Sequence, residues 1–139
     1  MTEGIDTRIL KPDGVQIAFS WFLRGVSTYC IIVGIAYWIR LIGYYPGDEW
    51  RFDLMPLHWQ IAVSALSVLF PFAAVGLWML ASWGPVVWFI CAAGETTMYY
   101  VYSAKFGAKP EILAVHGLVA FVFICFMATI SLRRRASAR

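Results

Sequence analysis

The stretch Ile112–Leu132, ILAVHGLVAFVFICFMATISL, contains no Asp, Glu, Lys or Arg and is closed at once by Arg133-Arg134-Arg135. About 20 apolar residues in helical form cross the hydrocarbon core of a bilayer, and lipid tolerates only backbone that satisfies its own hydrogen bonds. An uncharged run of this length ending in an arginine cluster predicts a membrane-spanning helix whose last turn meets a lipid headgroup surface. Three further apolar runs precede it, at Trp21–Ile42, Leu57–Ala81 and Val86–Tyr102. The expected fold is an all-α integral membrane protein, one membrane domain over residues 1–139 arranged as a four-transmembrane-helix bundle.

Composition leads to the same place. Of 139 residues, 61% are hydrophobic and 14% charged, and the mean hydropathy is +0.71. Soluble domains carry roughly 45–50% apolar and about 25% charged residues, so the charges here are too few to coat a water-facing surface. That excludes a soluble globular enzyme, a disordered tail and a secreted disulfide scaffold. The net charge of +3 does not indicate nucleic acid, because much of the basic excess (Arg133, Arg134, Arg135 and Arg139) directly follows an apolar run. Clusters placed there orient the chain and contact anionic lipid. Cys30, Cys91 and Cys125 all lie inside apolar stretches without a CxxC spacing, and are expected to be small buried side chains. Met1–Lys11 is mixed in charge and lacks a short apolar core followed by a small-residue cleavage site, so the first run is expected to remain as a membrane helix.

Turn residues divide the runs: Gly43-Tyr44-Tyr45-Pro46-Gly47-Asp48-Glu49, then Ser82-Trp83-Gly84, then Ser103–Lys109. Pro12, Pro56, Pro85 and Pro110 each stand just before or at the start of a run, where the missing N–H costs nothing. Asp13 and Glu111 follow their prolines and suit the positive end of a helix dipole. Pro12–Phe22 is expected to form an amphipathic lead-in to the first helix, and Pro71 to kink the second. Placing both termini inside puts Arg8, Lys11, Arg24 and the terminal arginines on the cytoplasmic flank, leaving Arg40, Arg51, Lys105 and Lys109 outside. The bias predicts an N-in, C-in arrangement, and an even number of spans agrees with it. Trp21, Trp78, Trp83 and Trp88 would form an inner aromatic belt. Trp38, Tyr44, Tyr45, Trp50, Trp59, Tyr99, Tyr100 and Tyr102 would form an outer one.

Chemistry-bearing residues are few, and no catalytic residue emerges. Glu95 sits mid-run, and a carboxylate at membrane depth must face the bundle interior and be paired or protonated. Ser64, Ser67, Thr96 and Arg24 are its candidate companions in an intramembrane polar site, with Arg40 a further possible counter-ion. Such a site is an interhelical polar clamp, a proton-relay carboxylate, a lipid-headgroup or quinone contact, or an ion site. His58 and His116 open two helices running in the same direction, and paired imidazoles at one level could hold a haem or contact a quinone. Gly117 beside His116 suits a macrocycle, whereas Leu57 and Trp59 crowd His58. No metal site, phosphate-binding loop or nucleophile elbow is present. Cysteine-paired disulfide oxidoreductase chemistry is also excluded, because no loop cysteine exists.

In overall layout, from Trp21 to Arg135, the chain resembles small uncharacterised four-helix inner-membrane proteins of rhizobial-type alphaproteobacteria. The resemblance rests on Tyr44-Tyr45-Pro46-Gly47, Trp83-Gly84-Pro85 and Gly94-Glu95-Thr96-Thr97. It is similar, more distantly, to the DoxX-like membrane proteins through Arg24 and Gly76, although His58 and Gln60 stand where those proteins carry an acid. The second likeness implies association with quinol oxidation. The expected function is a non-enzymatic accessory or assembly subunit of an envelope complex, with lipids and a protein partner or further copies around it. Gly25, Gly34, Ala62, Ala65, Ala92 and Ala93 would permit the close helix approach this needs. The alternatives are a quinone- or haem-associated redox subunit and a small transporter or lipid-binding protein centred on Glu95.

Overall fold

The protein was analysed as a computed structural model that describes residues 12–48 and 50–139. Arg8 and Lys11, assigned above to the cytoplasmic flank, and Glu49 of the first loop lie outside the described residues. The chain is helical throughout, without a strand among the described residues: α1 Gly14–Ile42, α2 Leu57–Trp78, α3 Trp83–Thr96 continuing directly into a π-helical turn Thr97–Val101, a short α4 Ser103–Phe106, and α5 Pro110–Ser137. Helices α1, α2 and α5 are long and apolar enough to cross a membrane. The third run differs from the other three: α3 has only 14 residues before the π turn widens it.

Local chemistry sets each boundary. Gly43 ends α1 in the left-handed region at φ 67°, and the N–H groups of Gly43 and Tyr44 return to the carbonyls of Arg40 and Ile39, closing the last turn. Pro56 stands at the head of α2 in extended conformation, and Pro110 occupies the first turn of α5 with Glu111 beside it. The α2 run stops at Trp78, short of the expected Ala81. Leu80 adopts φ 57° and the Ala81 N–H reaches back 2.9 Å to the Gly76 carbonyl, which reverses the chain at once. Ser82-Trp83-Gly84 is therefore no loop. Trp83 and Gly84 begin α3, and a Cβ on Gly84 would lie 2.5 Å from the Gly76 carbonyl carbon, so two glycines let the α2 and α3 backbones touch. The expected lead-in Pro12–Phe22 forms the opening turns of the first helix. From Gly14 it is continuous with α1, and Phe19 and Phe22 pack on Phe126 of α5 with centroids 5.5 Å apart.

The core runs along the α1–α2–α3 seam, where Cys30, Val63, Phe70, Ala73 and Cys91 are fully buried. Gly34 lies against the ring of Pro71, so the proline inside α2 serves as a contact surface. Gly25 has no side-chain neighbour near its Cα, and Cys125 is exposed, so neither fills the packing role expected of it. Two polar ties cross α1 and α2: Ser27 Oγ donates to the Ala74 carbonyl at 2.7 Å, and the Trp38 indole N–H donates to the Ser67 carbonyl at 3.0 Å. Helix α5 packs against α1 and α3 and buries a single residue, His116. Its apolar residues Leu118, Phe121, Ile124 and Leu132 point outward, an arrangement that favours apolar surroundings over water.

Candidate functional site

Along α3, Trp88, Cys91, Ala92 and Glu95, followed by Met98 and Tyr99 in the π turn, recur at helical spacing and are all buried. This stripe carries Glu95 into the interior, where it is 2% exposed. Two helices supply its donors. Tyr37 of α1 donates its hydroxyl to Glu95 Oε1 at 2.5 Å, and His116 Nε2 of α5 lies 2.7 Å from Glu95 Oε2. The carboxylate thus joins three helices. If it is ionised, His116 carries its proton on Nε2 to donate, and Nδ1 is left buried without a partner. The rings of Tyr29 and Trp88 flank the imidazole, with centroids 6.3 and 5.9 Å away.

Glu95 is not sealed from its surroundings. A cleft of about 240 Å³ between α1, the π turn and the head of α5 is walled by Tyr29, Val33, Tyr37, Glu95 and Tyr99, with Arg40 and Lys109 also lining it. A second cleft of about 220 Å³ lies on the other side of Tyr99, against Thr96, Tyr100, Pro110 and Leu113, and shares Glu95, Lys109 and Ile112 with the first. Pockets for drug-sized ligands span about 300–1,000 Å³, so each cleft suits a head group or a single ring, not a whole lipid. Aromatic faces hold both cations. The Arg40 guanidinium lies 4.6 Å from the Trp50 ring and 5.0 Å from Trp59, and Lys109 Nζ lies 5.3 Å from Tyr99.

Residues 17–134 match the model of DUF6163, a family of unknown function. The chain belongs to the DUF6163 family. The matched span contains Tyr37, Arg40, Glu95, Lys109 and His116, the whole of the site just described. No curated protein and no solved structure matches the chain.

In this DUF6163 chain the polar site differs in membership from the one expected. Glu95 faces the interior, as burial of a carboxylate requires, but Arg24, Ser64 and Ser67 are not its partners. Arg24 lies over Trp21 and Trp78, 5.5 and 5.7 Å from their centroids, near the opposite end of α1 from Arg40. Ser67 Oγ turns to the Ser64 carbonyl of its own helix at 2.9 Å. Thr96 lines the second cleft without a hydrogen bond to Glu95. The two histidines do not face each other. His58 Nε2 lies 3.3 Å from the Lys105 carbonyl, and its ring meets Phe106, while His116 is committed to Glu95. A haem ligated by both would require breaking both arrangements. Among the described residues no group of three or more His, Cys, Asp or Glu gathers to hold a metal. Trp88 and Tyr99, assigned to the aromatic belts, are core residues at 3% and 7% exposure. Tyr29, Tyr37, Tyr99 and Lys109 belong to the site without having been expected there.

Proposed function

We propose that this protein is a four-span, N-in, C-in protein of the bacterial inner membrane that binds, and does not chemically transform, a small amphipathic molecule in the clefts beside Glu95. What supports binding is one observation: a buried carboxylate, held by donors from two other helices, forms the wall of two head-group-sized clefts. A polar group used only as a clamp gains nothing from such openings, whereas a ligand site requires them. Support for a fourth crossing comes from length. At 1.5 Å per residue, α3 with its π turn reaches about 28 Å, close to the roughly 30 Å hydrocarbon core. The arginines at the end of α5 favour the N-in, C-in arrangement. A quinone ring fits the cleft size and its phenol, carboxylate and cationic lining.

The experiment is ligand recovery. Protein purified in mild detergent should carry an amphipathic molecule at about one per chain in native mass spectrometry. Ala36→Trp should displace it, because Ala36 lines the first cleft from an exposed position and its replacement disturbs no core contact. Undiminished recovery from that variant would sink the proposal. A second reading, the accessory subunit of a larger complex, is favoured by α5, which leaves nearly its whole length outside the core for lipid, a protein partner or another copy. It predicts a stable partner in the same purification.

A further inference from the structure

Taking the binding role proposed above as its premise, we infer that the ligand carries a net-anionic phosphate, seated between Arg40 and Lys109 with its apolar part running along the cleft toward Glu95. Among the described residues neither cation has a carboxylate partner, the ion pairs being Arg51–Asp53, His116–Glu95 and Arg133–Asp13. The Arg40 guanidinium stands beside the Tyr99 hydroxyl, and its five N–H donors leave several for a ligand. Its central carbon lies over the Trp50 and Trp59 rings, which holds the guanidinium in place, and a planar fork of donors suits two oxygens of a phosphate. Lys109 approaches from the start of α5, over the Tyr99 ring, and lines both clefts.

Depth assigns the two ends of the ligand. Arg40 follows Tyr37 on α1 by about 4.5 Å of helix rise, so the cations stand at the interfacial end and the Tyr37–Glu95–His116 cluster one turn deeper. The wall between them is formed by apolar Val33, Ala36 and Ile112. An oxyanion pushed to the level of Glu95 would meet a carboxylate. One held by Arg40 and Lys109 meets two cations, and its attached chain meets hydrocarbon-like walls.

The test uses the full chain in nanodiscs of phosphatidylcholine, with phosphatidylglycerol or inorganic phosphate added in separate arms and retention read by native mass spectrometry. One phosphatidylglycerol per chain should survive delipidation, with retention about tenfold weaker in Arg40→Gln and in Lys109→Gln, the scale set by one charge-assisted contact. Arg51→Gln is the control for lost surface charge: Arg51 lines neither cleft and pairs with Asp53. If Arg40→Gln fails to fold, Lys109→Gln decides alone, because Lys109 sits outside the core ahead of α5. Equal retention of inorganic phosphate would support the phosphate chemistry and assign its source to a soluble ester. An equal loss in Arg51→Gln would overturn the inference, as would retention unchanged in both cleft variants. A neutral amphiphile such as decylubiquinone bound in place of the anionic lipid would also overturn it while leaving the binding role intact. Failure of every amphiphile to bind would remove the binding role itself.

Discussion

Replacing His116 with Phe removes one of the two donors to Glu95 while keeping a ring of similar size in a pocket bounded by Tyr29 and Trp88. With Glu95 ionised, deleting the imidazole strands a buried charge, at a cost of about 3–5 kcal/mol. For a chain of this size such a loss corresponds to a fall of about 10 °C or more in midpoint. The cysteines provide the assay. Cys30 and Cys91 are fully buried and Cys125 is exposed, so in a Cys125→Ser background a thiol-reactive dye reports opening of the core on heating in detergent. Glu95→Gln alone should cost less than His116→Phe, since an amide can accept from Tyr37 and donate to the imidazole. Adding Glu95→Gln to His116→Phe should recover part of the loss, because no charge then remains to be stranded, only an amide missing one partner at about 1–3 kcal/mol. An His116→Phe midpoint equal to the parent's would refute the three-helix clamp. So would a double variant whose loss is the sum of the two single losses.

Three further outcomes test other parts of the structure. Gly84→Ala places a Cβ 2.5 Å from the Gly76 carbonyl carbon and 2.6 Å from the Leu77 nitrogen. Both are backbone atoms that cannot rotate away, so the same thermal assay should register about 1–3 kcal/mol of destabilisation or more. Asp13→Asn removes the partner of Arg133, but both side chains are more than half exposed. It should therefore change stability by no more than about 1 kcal/mol, and a larger effect would mean that the head of α1 holds α5 in place. With the native cysteines removed, Asp48→Cys should react with an impermeant maleimide in intact spheroplasts and Ser137→Cys only after permeabilisation. The opposite pattern would reverse the proposed orientation.

Helix existence was legible because lipid imposes so simple a pattern: apolar runs, proline at their starts, and glycine or polar residues between them. Ends were less legible. Leu77–Ala81 is as apolar as the helix before it, and no residue in LWMLA announces that Leu80 turns left-handed. The reversal is set by Gly76 and Gly84, which stand apart in sequence and become one feature only when α2 and α3 pack. Two members of the expected aromatic belts lie in the core for a related reason. Tryptophan and tyrosine near a helix end suit an interface, but Trp88 and Tyr99 share a helix face with Glu95, and that face points inward. Assigning them by depth alone ignored rotation about the helix axis.

The partners of Glu95 were within reach of a depth count made from one membrane face. Gly43, Val101 and Pro110 mark the places where α1 ends, the π turn ends and α5 begins, all on the same side of the bundle. Tyr37, Glu95 and His116 each lie roughly six residues from these marks, or about 9 Å at 1.5 Å per residue. Three polar side chains at one level in hydrocarbon have strong reason to meet, since each alone would bear the cost of an unsatisfied polar group. His116 is hard to place from sequence because a span counted from Ile112 leaves it in the opening turns, level with His58. Tyr37 does not stand out because a tyrosine among Ile, Ala and Trp resembles a belt residue. Starting α5 at Pro110 moves His116 about 3 Å deeper, to the level where a carboxylate needs a donor. Tyr37 then supplies the second.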